Sequence, residues 1–138
     1  CDLTGVTPPP SVEGKSLQPI WQNKLKSVRD SLFTTYEDLM RAVRDERWKL
    51  IRYPQINHTQ LFDLKDDPDE LRNLADAPDQ ADRVDRMMKL LGTWQQQTND
   101  KQPLTSEDPK PMEIDLTGRK RKPDTHQPQW IIDKYFSP

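Results

Sequence analysis

The chain is short of cysteine, glycine and apolar side chains, and each shortage excludes something. Cys1 is the one cysteine among 138 residues, so no internal disulfide can staple the chain. Cys1, His58 and His126 give no C-x-x-C or H-x-x-x-H spacing for a metal, and redox compartment stays open. Hydrophobic residues are 32% of the chain, and the mean hydropathy is -1.03. Soluble domains carry roughly 45–50% apolar residues, so a large core is excluded. Leu, Ile, Val and Phe number 28, at the edge of the roughly 20% level below which disorder is expected, but disorder of that kind also needs a high net charge. The net charge here is only -2. No apolar run is long enough for a membrane span or a signal peptide, and no methionine or basic segment precedes Cys1, so the chain reads as a piece of a longer protein. The 21 basic and 23 acidic residues are interspersed, which argues against nucleic acid as a partner because backbone binding needs a clustered basic face. The exception, Arg119 to Lys122, sits among prolines and reads as a solvated charge run.

What is abundant is proline. Its 13 residues cluster in two stretches, which divides the chain into three parts. Residues 1–30 contain Pro8, Pro9, Pro10 and Pro19, with apolar residues at no steady period, and read as a surface connector rather than an element. Residues 31–98 carry the periodic signals. Leu32 to Tyr36 is β-branched and aromatic, a strand. Leu39 to Arg44 and Arg47 to Tyr53 flank Asp45 and Glu46 as a hairpin does. In the second of these runs Trp48, Leu50 and Arg52 share one face, and Lys49, Ile51 and Tyr53 the other, because strand side chains alternate. Both faces are then partly apolar, which implies that something covers the second one, either the helix or a missing domain.

Pro54 ends that strand, and Gln60 to Leu64 forms a fourth. Asp67, Pro68 and Glu70 have a capping-box arrangement that predicts a short helical turn through Leu71 and Leu74. After Pro78, Val84, Met87, Met88, Leu91 and Trp94 recur at helical spacing, with Asp82 four before Arg86 and Asp85 four before Lys89. This helix is expected to cover the sheet. Residues 99–138 are expected to form an extended proline-rich tail that buries little, ending in the aromatic anchor Trp130 to Phe136, which is expected to dock outside its own small domain.

No G-x-S-x-G, P-loop, H-E-x-x-H or dinucleotide fingerprint occurs. Asp63, Asp66, Asp67, Asp69 and Glu70 invite a calcium reading, but they lack the loop spacing and turn glycine of a calcium site, so capping and turn roles are preferred. His58, between Asn57 and Thr59, is expected in a loop as an exposed histidine; the triplet also matches a glycosylation sequon. From the residues alone, the chain is a small α+β module with no catalytic residue, no metal site and an unknown substrate contact.

Three motifs in order then give a resemblance. Val12 to Pro19 resembles the V-x-G-x-S-L-x-P segment of type I sulfatases; Ala42 to Ile51 resembles their A-V-R-x-x-x-W/Y-K-L-I hairpin; Leu61 to Leu74 resembles their L-[YF]-D-L-x-x-D-P-x-E-x-x-N-L segment. The resemblance spans about residues 1–95 and is strongest to the carboxy-terminal region of arylsulfatase, choline-sulfatase and N-sulfoglucosamine sulfohydrolase enzymes. It implies the C-terminal subdomain of an alkaline-phosphatase-like fold, with a four-stranded antiparallel sheet and one packed amphipathic helix. It also implies, for the parent protein, hydrolysis of sulfate esters or sulfamates by a formylglycine beside a calcium ion, both upstream of this stretch. Cys1, Asp2, Leu3 and Thr4 do not match the C-[PSA]-x-R motif that yields formylglycine, so Cys1 is not the nucleophile. The chain departs from the family at Asp45 and Glu46, where glycine is usual, and a wider bulged turn through Arg47 is expected.

The partners implied are an N-terminal catalytic domain of the same chain and a sulfated small molecule or saccharide, with no nucleic acid and no membrane span; a tail with an aromatic end is also compatible with a homo-oligomer. The implied location is periplasmic or secreted. A rival reading is a non-catalytic binding or scaffolding module that keeps the same fold.

Overall fold

Period-two alternation in the sequence becomes a sheet of four strands. The computed structural model describes residues 1–115, 117, 118 and 122–136, so Arg119, Lys120 and Arg121 of the basic run lie outside the described residues. Strands β1 (Leu32–Tyr36), β2 (Met40–Arg44), β3 (Trp48–Tyr53) and β4 (His58–Asp63) pair antiparallel in sequential order. The β2–β3 connection runs through Asp45, Glu46 and Arg47, none with positive φ, as the missing glycine requires. The Asp45 carboxylate holds it by accepting the backbone N–H groups of Arg47 at 2.8 Å and Trp48 at 2.6 Å. Pro54 does end β3, in a single 3₁₀ turn closed by Asn57 at φ 51°, a left-handed position that asparagine tolerates.

Helix α2 (Ala81–Thr98) lies on one face of the sheet. There Met87 and Leu91 meet Val43, Trp48, Leu50 and Leu61 in the main core, and Phe33 stacks on Trp94 with ring centroids 6.2 Å apart. The expected strand phase is the observed one. The expected ion pairs on the outside of α2 do not close: among the described residues, neither Asp82 with Arg86 nor Asp85 with Lys89 comes within ion-pair distance.

Several expectations are corrected. The second face is buried with neither α2 nor another domain on it: Ala42, Ile51 and Phe62 form a smaller buried cluster packed by Met40, Tyr53 and Leu64, and Ile51 is only 8% exposed. Lys49, the cross-strand partner of Phe62, reaches from that face to Glu70. β4 starts at His58, two residues before the expected Gln60, so His58 lies in the sheet opposite Tyr53 rather than in a loop. The polar triplet His58, Thr59, Gln60 carries no apolar alternation, and its strand state comes from pairing with β3. The connector contains one element, the four-residue helix α1 (Gln18–Trp21), which has proline in its first turn.

No helical turn follows Asp67. Its carboxylate does cap, accepting the N–H groups of Leu71 at 3.1 Å and Arg72 at 2.8 Å, but Glu70 turns to φ 56° and the chain leaves helical geometry. The β4 edge takes the backbone instead. Leu74 N–H donates to the Leu61 carbonyl at 2.8 Å, and the Asn73 side-chain oxygen accepts from the N–H groups of Leu61 at 2.9 Å and Ala75 at 3.0 Å. Asn73→Ala leaves the N–H of fully buried Leu61 without its partner, and is expected to cost about 1–3 kcal/mol in urea unfolding.

The tail is extended, with no helix or strand among the described residues between Thr98 and Gln129, but its first dozen residues are not loose. Asn99 ends α2 in left-handed geometry at φ 56°. Asp100 then pairs with Arg41, the Leu104 carbonyl accepts from Arg52 Nε at 2.6 Å, Ser106 exchanges two hydrogen bonds with the Asn57 side chain, and Lys110 N–H donates to the Gln55 carbonyl. Leu104 also packs on the main core. The terminal segment forms α3 (Gln129–Tyr135), with Trp130 and Tyr135 mostly exposed.

Candidate functional site

The acidic run beside β4 is spoken for almost residue by residue. Arg47 donates from Nε to Asp63 Oδ1 at 2.8 Å and from Nη2 to Asp63 Oδ2, and reaches Asp66 at 3.2 Å. That guanidinium holds the Asp63 carboxyl below its ordinary range, against the opposing effect of burial. Asp67 is occupied by two backbone N–H groups, and Glu70 takes the Lys49 ammonium on both oxygens at 2.8 and 2.6 Å. Asp67 thus takes the capping role expected of this run, whereas the pairing of Asp63, Asp66 and Glu70 with Arg47 and Lys49 is not among the roles expected. Among the described residues, no three His, Cys, Asp or Glu side chains stand where they could hold a metal ion. His58 stacks against Tyr53, with ring centroids 6.0 Å apart, and Cys1 is exposed.

The concave feature of the surface lies elsewhere. A groove of about 1120 Å³ opens between the connector, the β2–β3 turn and the first turn of α2. Six cationic side chains line it, Lys15, Lys26, Arg29, Arg44, Arg47 and Arg83, against three acids, Asp30, Asp45 and Glu46. Trp48 also lines it, 7% exposed, with the guanidinium carbon of Arg83 4.5 Å and that of Arg47 5.3 Å from the indole centroid. Stacking of this kind fixes a planar guanidinium on an aromatic face. A second groove of about 540 Å³ shares Arg47, Trp48 and Arg83 and adds Arg86.

Sequence reasoning did not find this groove. Its cations are scattered from residue 15 to residue 83 in a chain of near-zero net charge, so no local run announces them. What could have pointed there is the pair Arg47 and Trp48 at a turn, an arginine beside an aromatic.

The same elements place the chain among known proteins. The family model of the N-sulphoglucosamine sulphohydrolase C-terminal region matches residues 1–97. The chain belongs to this sulfatase C-terminal family. Among curated relatives it is 30% identical over 114 residues to an N-acetylglucosamine-6-O-sulfatase of Bacteroides thetaiotaomicron, covering 74% of this chain and 20% of that protein. It is 30% identical over 93 residues to an arylsulfatase of Clostridium perfringens, covering 65% and 19%. A solved 2-O GAG sulfatase superposes with a TM-score of 0.63 at 30% identity over 72% of this chain and 23% of its own. A protein solved in complex with its substrate D-glucosamine-2-N,6-O-disulfate superposes with a TM-score of 0.65 at 26% identity, covering 77% and 24%. The chain thus spans about a fifth of the length of these relatives. The four-stranded sheet with its packed helix is the C-terminal subdomain that the sequence motifs implied.

Proposed function

We propose that this chain is the carboxy-terminal part of a sulfuric ester hydrolase acting on a sulfated saccharide outside the cytoplasm. The sulfatase family match over residues 1–97 carries the reading, and the relatives, an N-acetylglucosamine-6-O-sulfatase and an arylsulfatase, agree with it. The formylglycine and calcium of such an enzyme would then come from a catalytic domain upstream. Nucleophilic attack needs an activated group within reach of a base. Here Asp63, Asp66, Asp67 and Glu70 are committed to Arg47, Lys49 and backbone N–H groups. In this reading the subdomain supports the catalytic domain and supplies a rim of its cleft. The exposed Leu17 and Trp21 of the connector support a neighbouring surface that covers them.

The test is turnover of an aryl sulfate by the 138 residues alone and by the same residues joined to their upstream domain. The expected result is no turnover by the first and turnover by the second. Hydrolysis by the isolated chain overturns the placement of catalysis upstream, and an inactive full-length protein carrying bound calcium and formylglycine overturns the reading in favour of a non-catalytic module.

A further inference from the structure

We propose that the outer edge of β1 receives an added strand from the chain that precedes residue 1, so that the four-stranded sheet continues into the upstream domain by backbone pairing. The choice of occupant rests on the sulfatase reading; the open edge rests on the sheet alone.

The two edges of the sheet are treated differently. Beyond β4, Leu74 N–H donates to the Leu61 carbonyl, while the Asn73 side chain accepts the Leu61 N–H and donates to the Thr59 carbonyl, so that edge is sealed by the chain itself. β1 has no such cover: among the described residues its backbone bonds only β2 and its own turn at Leu39. The N–H and C=O of each residue in an antiparallel strand point to one side, and the side alternates, so two or three of the five residues Leu32 to Tyr36 present both groups outward. Natural edges are blunted by charged residues, proline or a bulge. The segment Leu32, Phe33, Thr34, Thr35, Tyr36 has none of these, and its register with β2 runs unbroken from Leu32 opposite Arg44 to Tyr36 opposite Met40. Every residue of it except Phe33 is exposed, and the β-branched and aromatic side chains suit pairing. Such an edge is a template for one more strand.

The preceding chain is the occupant that fits. Leu32 borders the same groove as Leu17 and Ile20 of the connector, so a surface that covers the connector reaches the start of β1. This chain spans about a fifth of its curated relatives, and the connector tethers what precedes it beside β1. A tethered segment meets the edge at a higher effective concentration than a second copy does. A second copy also fits worse: the self-pairing that matches all five residues of β1 is centred on Thr34 and sets Asp30 of each copy against Asp38 of the other, and like charges directly opposite are destabilising. Leu32 and Tyr36, 42% and 58% exposed, share the face of Ala42 and Ile51, because Thr34 pairs with Ala42 and Ala42 with Ile51. A strand with apolar residues opposite Leu32 and Tyr36, and a lysine or arginine toward Glu37 and Asp38, would carry that second-face cluster outward across β1.

The experiment is hydrogen exchange of the full-length protein, read amide by amide over Leu32 to Tyr36. All five amides should exchange at least about a hundredfold more slowly than in a free peptide, and the rates should hold over about a hundredfold dilution of the protein. Alternation, with the outward set exchanging as in a free peptide, overturns the added strand. Protection that fades on dilution overturns the preceding chain as occupant in favour of a second copy. Benzoylphenylalanine in place of the exposed Tyr36 should cross-link on irradiation, within one chain, to a segment that precedes residue 1. A cross-link that joins two chains, or one confined to residues 1–138, overturns that occupant. Turnover of a small aryl sulfate reads the sulfatase assignment separately: an active protein with alternating protection loses only the added strand, and an inactive protein with five slow amides loses only the hydrolase reading.

Discussion

Leu50→Ala is expected to lower the unfolding free energy by about 2–5 kcal/mol, the range for removing a large aliphatic side chain from a packed core. Leu50 is fully buried in the middle of β3, with Val43 opposite on β2, Leu61 opposite on β4, and Met87 and Leu91 of α2 in the same cluster. The cavity has little chance to collapse, because three of its walls are backbone-paired strands and the fourth is a helix. Urea unfolding of the single variant measures the cost. Lys49→Ala, one residue away on the other face, is the matched control: it loses a half-exposed ion pair with Glu70, and pairs of that exposure contribute roughly 0–1 kcal/mol. Equal small effects at the two positions would mean that α2 lies against the wrong face of the sheet.

That prediction was legible from the sequence because two periods crossed. Alternation in Trp48 to Tyr53 set the strand phase, and the spacing of Val84, Met87, Met88 and Leu91 set the helix stripe; both faces appear where expected. The β2–β3 turn was legible for a negative reason, since Asp45 and Glu46 lack the freedom of glycine and the turn widened accordingly. The segment after Asp67 was misread because its cap is real while its helix is not. A capping signature reports that backbone N–H groups need an acceptor, and it does not report whether a strand edge nearby competes for the following residues. Here Leu61 wins Leu74, and Asn73 seals the join.

The groove and the tail were not legible for a shared reason: their anchors are polar and non-local. Arg83 reaches Trp48 across 35 positions of sequence, and nothing in either neighbourhood encodes the meeting. In residues 99–110 the apolar content is one Leu104, so composition pointed to a chain that buries nothing. The binding instead comes from hydrogen bonds: to Arg41 and Arg52, buried guanidiniums whose partners within the sheet leave their Nε–H free, and to the exposed Asn57 amide. Two arginines on the apolar face of a small sheet were the available signal, because a buried guanidinium requires acceptors from somewhere. The Arg41 and Arg52 positions face each other across β2 and β3, and the chain that answers both is the one that follows α2.

Asp100→Ala is therefore expected to be among the most damaging single changes in the chain, despite lying in a segment with no regular structure. The Arg41 and Asp100 side chains are 7% and 15% exposed, and they meet through two bonds, Nε to Oδ2 at 2.8 Å and Nη2 to Oδ1 at 3.1 Å. Removing one partner of a buried pair leaves the other charge uncompensated, at a cost of about 3–5 kcal/mol. Arg41 keeps the carbonyls of Glu37 and Met40, which places the expected loss near the lower end, about 3 kcal/mol. The pH dependence identifies the cause. The Arg41 guanidinium, opposed by burial and helped by Gln95 and the Gln102 N–H, lowers the Asp100 carboxyl from 3.8 to about 2. A carboxyl lowered on folding contributes stability that is fully present above its unfolded value and fades as pH falls through the folded one. The stability gap between the unaltered chain and Asp100→Ala should hold steady from pH 7 to about 5, then narrow from about pH 4 toward pH 2. Urea midpoints across that series measure it. A gap that stays constant down to pH 2 would assign the loss to packing of the 99–110 segment, with the ion pair contributing nothing of its own.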